Sequence, residues 1–386
     1  MDENAIAEIR KTILEAKARA KKAQAVFAKE LAPLYRKDER KPPQEVVDSS
    51  FLFMRSCDAD QGFRPLPCPV FWLSPDIRVL SMSAAGQVTR ELVAGYSYRL
   101  VAMLRNRGDL AVPAAKVEFF LTDPTLGFDT RFATKLGVAQ ARVEAHGAVE
   151  LGIDYRVPPG LSGHHCLFAR AFSFAPLDLP VSDYALDPVI DRHIAQANLT
   201  FIAGGAQMQM NVIHFPNADD RILIQPMTAI QLRDHRIALP AGLRFASPRL
   251  AAEFTGKFAL TLEPADAKGV KIAAERTEDG IILISRSADH PSTEAQVEST
   301  KALMDMRAAE AKGRNDPARR RKLELSYRQM TTTALRSRLT LDVPDMGLKG
   351  GLAAAFLVRR VSRVTGMTTG GIALFVTRPT EFGRLR

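Results

Sequence analysis

Cysteine is scarce in this chain, three in 386 residues, and tryptophan occurs once, at Trp72. Cys57, Cys68 and Cys166 have no Cys-x-x-Cys spacing. Neither a disulfide framework nor a structural zinc site is expected from them, and reduced thiols are the plain reading. Long hydrophobic runs are missing too. The greasiest late segment, Leu352 to Val376, is interrupted by Arg359, Arg360 and Arg363, which argues against a membrane-spanning helix. The N-terminus reads Met-Asp-Glu-Asn and lacks the apolar core of a secretory leader. A cytoplasmic protein is therefore expected, with leaderless export left open.

What is present is ordinary for a folded protein: 46% hydrophobic and 25% charged residues. That composition excludes a disordered chain, a collagen and a simple coiled-coil rod. The formal charge of +10 is unevenly placed. Residues 1–41 hold 11 basic against 7 acidic side chains. Lys312, Arg314, Arg319, Arg320, Arg321 and Lys322 face only Asp316 within 312–322. The basic character belongs to these two segments, and the rest is close to neutral.

Residues 4–35 have helical periodicity. Ile6, Ile13, Ala20, Phe27 and Leu34 recur every seven residues, with Ile9, Ala16 and Ala23 interleaved, so one face carries an apolar stripe. The stripe is thinned by alanine, and a helix of this kind needs a surface to pack on. Ile6, Ile9, Ile13, Phe27 and Leu34 are the candidate interaction residues, for self-association or for a protein partner. Packing on the chain's own domain competes for the same stripe. Beyond Lys41-Pro42-Pro43 the period changes to two. Tyr98, Leu100, Ala102 and Leu104 alternate with more polar neighbours, as do Val117, Phe119 and Leu121, and then Val149, Leu151, Ile153 and Tyr155. These are half-buried antiparallel strands with turn chemistry at Asn106-Arg107-Gly108 and Pro158-Pro159-Gly160. A second set of strands begins near Asn198, with a hairpin expected at Glu278-Asp279-Gly280 and a closing hairpin of Phe356–Val364 and Ile372–Val376 with Gly366 and Gly370-Gly371 between. Residues 293–322 break this pattern with a helical, basic insertion.

The stretch from Trp72-Leu73-Ser74-Pro75 through Leu104-Arg105-Asn106-Arg107-Gly108 and Val117-Glu118-Phe119 to Cys166-Leu167-Phe168-Ala169-Arg170 resembles bacterial immunoglobulin-like modules of the cell-adhesion-related (CARDB-like) kind. In these a strand ends in Asn-x-Gly and the next opens with Val-x-Phe. The resemblance covers residues about 72–200. It implies an immunoglobulin-like sandwich used for structure, display or adhesion, and it carries no catalytic residues.

Chemistry-bearing clusters are thin. His164 and Cys166 share a strand face, which is half of a zinc site. Asp178, Asp183, Asp187, Asp191 and His193 follow in a long connection, and Asp191 with His193 would serve as an acid/base pair only if the fold brought them together. Asp58, Asp60, Asp123 and Asp129 lack the ligand spacing of a calcium loop. Gly204-Gly205 and Gly366, Gly370 and Gly371 have no helix behind them to cradle phosphate. Arg319, Arg320 and Arg321 have only Tyr327 as a nearby ring; the run reads first as a solvated surface, next as a contact for an acidic protein partner, and nucleic acid is not expected.

The expected fold is mainly β. It comprises an N-terminal amphipathic helix (1–41), an entry segment (42–71), an immunoglobulin-like sandwich (72–198) and a second β domain (199–386) with a helical insertion at about 293–322. Trp72 is expected in the core of the first sandwich. The expected role is a non-enzymatic structural or scaffold protein of a bacterial kind, without catalytic residues, metal or cofactor. The alternatives are a ligand- or carbohydrate-binding surface and a hydrolase with a cryptic site at 164–193.

Overall fold

The computed structural model describes Glu15 and most residues from Ser49 to Arg378. The longer stretches it leaves out are 1–14, 16–48, 84–87, 215–218, 264–269, 288–301, 310–315, 331–334, 363–367 and 379–386. The helix expected over 4–35, with Ile6, Ile9, Ile13, Phe27 and Leu34, lies outside the described residues.

The first half of the chain forms β1 (Leu52–Phe53), β2 (Ile77–Ser81), β3 (Val88–Thr89), β4 (Ser97–Asn106) and β5 (Val112–Thr122). Then come β6 (Thr125–Leu126), β7 (Thr134–Val143), β8 (Ala148–Arg156), β9 (Cys166–Phe172) and β10 (Ile194–Asn198). In one sheet β4 pairs with β8 on one edge and with β2 and β1 on the other, and β3 follows β2. The facing sheet runs β10-β9-β5-β7, all antiparallel. Between them lies a core of Tyr98, Leu100, Ala102 and Leu104 from β4, Val117, Phe119 and Leu121 from β5, and Leu167, Ala169 and Ala171 from β9. The period-two pattern read from the sequence is this inner face. It is a two-sheet antiparallel β-sandwich.

The second half adds β11 (Thr200–Ala203), β12 (Gln207–His214), β13 (Asp219–Pro226), α1 (Ala229–Asp234), β14 (Arg244–Phe245), α2 (Pro248–Ala252) and β15 (Ala259–Glu263). It continues with β16 (Val270–Thr277), β17 (Gly280–Ser287), α3 (Pro317–Met330), β18 (Leu335–Asp342), β19 (Leu352–Ser362) and β20 (Thr368–Thr377). One sheet is ordered β11-β20-β19-β13-β17-β16, with β14 alongside β19. The other is β15-β18-β12-β6, so the first half lends Thr125 and Leu126 as a parallel edge strand beside Asn211 and Val212. Met208, Met210, Val212, Leu339 and Leu341 meet Ile222, Phe356, Val358, Ile372 and Leu374 across this second core. The strand pairs β16–β17 and β19–β20 form as read, but Gly370 and Gly371 lie inside β20, opposite Arg360 and Arg359, and not in the turn between the strands.

The two sandwiches are joined through the β10-β9-β5-β7 sheet, whose strands β9 and β10 are largely buried on both faces. Along β9, Leu167 and Ala169 enter the first core while Cys166 and Phe168 enter the second, together with Phe120, Leu126, Phe128 and Ile194. Successive side chains point to opposite faces, so a strand apolar on both faces is one covered twice. A third cluster lies on the outer face of the β19–β20 sheet. There Ala355, Leu357, Ala373 and Phe375 are covered by Val70, Phe71, Trp72 and Leu73, by Val181, Ala185, Val189 and Ile190, and by Leu303.

Three expectations are corrected here. Trp72 is fully buried, but its ring packs on the outer face of the second sandwich instead of inside the first. A Cβ on Gly371 would come within 2.4 Å of that ring, so the indole occupies the space this glycine leaves. Cys57 and Cys68 are not free thiols but form a disulfide, with Cα atoms 6.6 Å apart. The two lie 11 positions apart across a segment with no repeating pattern, so spacing alone could not show the pairing. Finally, the Arg319–Lys322 run lies in the first turns of α3, a helix that continues to Met330, beyond the 293–322 insertion as read.

Candidate functional site

The 164–193 region, read as the best place for chemistry, is where the connection between β9 and β10 threads between the sandwiches. Asp191 folds into a tight turn: its carboxylate accepts from the backbone N–H groups of His193 (2.9 Å) and Val181 (2.7 Å). The same turn brings its Oδ1 to 2.7 Å from His193 Nδ1. The Asp191–His193 pair therefore does form, through backbone turn geometry and not through a helix. On the far side of the ring, His193 Nε2 stands 3.7 Å from Asp178 Oδ1, too long for a hydrogen bond. Asp178 instead accepts from Ser50 Oγ (2.5 Å) and the Leu52 N–H (2.8 Å), with Arg192 Nη2 at 3.5 Å.

All of these groups are buried: Asp178 is 0% exposed, His193 1% and Arg192 3%. Burial pushes the Asp178 carboxyl up, but the adjacent His193 and Arg192 and the Ser50 hydroxyl outweigh it and hold the group at about 2. Burial acts on Asp191 in the same direction, and the His193 ring together with the two backbone donors holds it well below the carboxylate range. Such a histidine between two ionised carboxylates would serve acid/base chemistry if a nucleophile or an opening faced it. The Ser50 hydroxyl donates to Asp178 and not to His193.

The network extends in a way the sequence reading missed. Arg64, 1% exposed, donates to Pro188 O (2.9 Å) and Asp191 O (3.3 Å) and pairs with Asp60 at 3.3 Å. Asp60 accepts from the Ser56 and Gly62 N–H groups. Asp76 receives both Arg55 and Arg105. The available signal was the Arg55-x-x-Asp58-x-Asp60-x-x-x-Arg64 run, dense in opposite charges next to a cysteine. The aspartates set aside as calcium ligands serve the backbone and ion pairs instead: Asp60 here, and Asp129 on Arg131. Asp123 is exposed, 3.9 Å from His165. His164 lies outside the described residues. Cys166 is buried under the second sandwich, and burial pushes its thiol up to about 12. Among the described residues no three His, Cys, Asp or Glu side chains gather as a metal-holding group.

The Arg319–Lys322 run is capped by Asp316, whose Oδ1 accepts from the Arg319 N–H at 3.0 Å. Arg319, Arg321 and Lys322 are exposed, and Arg320 leans towards Glu324 at 3.8 Å. Leu323 of the same helix packs on the Trp72 cluster. The most exposed large apolar side chain among the described residues is Phe174, at 83%, on the loop that leaves β9. Its base is pinned by Ser173 N–H to Asp178 O and Asp178 N–H to Ala175 O, each 2.9 Å. Leu179 and Tyr184 of the same connection are also exposed. Among the described residues no helix is long and apolar enough to cross a membrane.

No family model matches the chain, and no curated protein matches it. Weak likenesses exist among solved structures. A red sea bream transglutaminase is 11% identical over 77% of this chain, with a TM-score of 0.17. The chain spans about a third of that enzyme's length, 32%. The C-terminal domain of an antigen I/II-family protein of Streptococcus pyogenes is 7% identical, with 78% of this chain and 98% of that one covered, at a TM-score of 0.18. A tip adhesin of Pseudomonas aeruginosa is 8% identical, with the same coverages, at 0.17. Superpositions this poor carry no argument about what this chain does.

Proposed function

We propose that this chain is a non-enzymatic structural protein whose joined sandwiches present loops and termini to other proteins. The observation that carries the reading is the fate of its chemical side chains. Asp178, Asp191, Arg192, His193 and Arg64, the groups best suited to catalysis, are buried and turned towards backbone and one another. Buried ions held in this way fix loops in place. Hydrophobic side chains are meanwhile displayed on the Phe174–Tyr184 connection. The assignment to the cell-adhesion-related kind belongs to this proposal. It is supported by Asn106, whose side chain accepts from the Phe51 and Gly108 N–H groups and donates to Leu110 O and Glu144 O, so that Asn-x-Gly ties four segments together.

The division near residue 198 is likewise proposed, supported by the passage from β10 in one sandwich to β11 in the other. The Cys57–Cys68 disulfide supports maturation in an oxidising compartment over the cytoplasm first expected. Association through residues 4–35 is the proposed route to self-assembly or a partner. Its test is Ile13→Asp with Phe27→Asp in the full chain, followed by light scattering and thermal melting. Smaller particles with an unchanged melting point support it; unchanged size with a lower melting point shows that the stripe packs on its own domain and sinks the association claim.

A further inference from the structure

Arg359 and Arg221 lie on the outer face of the second sandwich, beside the Trp72 cluster. In the antiparallel register Arg359 of β19 stands opposite Leu223 of β13, and Arg221 stands opposite Val361. The two arginines are therefore diagonal cross-strand neighbours on one face, about 7–8 Å apart at the backbone and within reach of each other's long side chains. The face is fixed by Ala355 and Leu357, which precede Arg359 at two-residue steps and are buried in that outer cluster. Directly across from Arg359 on the other side is Gly371, and the Trp72 ring lies over it.

Arginine at such a place ordinarily meets a carboxylate, as Arg360 one residue on meets Asp220 at 2.7 Å. Arg359 does not. Its Nη1 donates to Gln225 Oε1 at 3.1 Å and its Nη2 to Thr368 Oγ1, both neutral acceptors. Its Nε is buried and has no acceptor. No carboxylate pairs with Arg359 or Arg221 among the described residues. Burial and the neighbouring Arg221 push the Arg359 guanidinium down, and no carboxylate among the described residues offsets them. A buried, unsatisfied N–H on a charged group costs stability unless something completes it.

We infer that Arg359 and Arg221, with Thr368 at their side, form a binding site for a tetrahedral oxyanion dianion of the phosphate or sulfate type, free or as the terminus of a monoester. A dianion matches two guanidiniums in charge, whereas a lone carboxylate leaves one cation uncompensated. The planar guanidinium presents N–H donors in a fork that fits oxygen pairs on phosphorus or sulfur. This site is independent of the docking reading above.

The test is calorimetric titration of the full chain at constant ionic strength with inorganic phosphate, inorganic sulfate, phosphoserine and acetate. Saturable one-to-one binding of phosphate or sulfate is expected, weakened at least tenfold in both Arg359→Gln and Arg221→Gln. Phosphoserine binding as tightly as phosphate identifies a monoester ligand; binding of the inorganic ions alone identifies the free ion. Acetate binding as tight as phosphate would overturn the dianion assignment. No saturable heat with either inorganic ion, or undiminished binding in the variants, would overturn the site. Arg221 is exposed, so Arg221→Gln keeps the test decisive if Arg359→Gln does not fold.

Discussion

At the scale of single residues, two side chains show how local chemistry becomes architecture. Trp72 fills the space above Gly371 and meets Phe71 edge-on, with ring centroids 5.1 Å apart. Trp72→Ala removes the largest fully buried side chain of the outer cluster, and the loss is expected to cost about 3–5 kcal/mol. Because it is the only tryptophan, native fluorescence reads its surroundings directly: a blue-shifted maximum is expected, and a water-like one would contradict the burial. Asp178 makes the second case. Its carboxyl titrates near 2 in the folded chain against 3.8 ordinarily. A depressed folded value means stability that is present above the unfolded value and lost as pH falls through the folded one. Denaturation midpoints should therefore decline between about pH 4 and pH 2, by about 2 kcal/mol from this group, with Asp191 acting in the same sense. Asp178→Asn should flatten that decline at the expense of stability at neutral pH.

At the scale of elements, the segment before β2 does more than its sequence shows. The disulfide closes the turn that holds Asp60 and Arg64, and Arg64 reaches Pro188 O and Asp191 O in the β9–β10 connection. This short loop thereby fastens the passage between the sandwiches. Cross-linking a loop of this length is worth about 2–3 kcal/mol through the unfolded chain. Cys68→Ser, or reductant, should lower the melting temperature accordingly. Thiol titration of the denatured, unreduced protein should find one group, Cys166, and three after reduction. Finding three without reductant would remove the disulfide and its compartmental meaning together. Gly108 is a second pinning point. A Cβ there would come within 2.1 Å of Ser49 O, so the Asn-x-Gly spacing is enforced by backbone running alongside.

At the scale of the whole molecule, the strands covered on both faces, β9 and β10, decide how the chain unfolds. Phe120, Phe128, Phe168 and Ile194 leave the first sandwich and complete the second core, and β6 completes its sheet. Phe168→Ala should cost about 3–5 kcal/mol. It should also lower hydrogen-exchange protection in β12 and β19 as well as in β9 and β5. Protection lost in β9 and β5 alone would show two independently stable domains. A fragment ending at residue 198 would expose this apolar face and is expected to self-associate.

The sequence by itself determined the class of fold and the inner face of the first sandwich. Alternation at Tyr98–Leu104, Val117–Leu121 and Val149–Tyr155 is a local property, written by the side-chain period of a strand. The pairing of β19 with β20 was legible for the same reason, although Gly370 and Gly371 lie inside β20 and not in its turn. The candidate site was only partly legible. Asp191 and His193 were visible as neighbours in sequence, but their 2.7 Å contact, their burial and the approach of Asp178 required the turn and the second sandwich. The Cys57–Cys68 pairing, the seat of Trp72 on Gly371 and the juxtaposition of Arg221 with Arg359 belong to the tertiary structure alone. Each joins residues whose separation in the chain carries no periodic signal, and packing of one sheet's outer face against distant loops decides which of them meet.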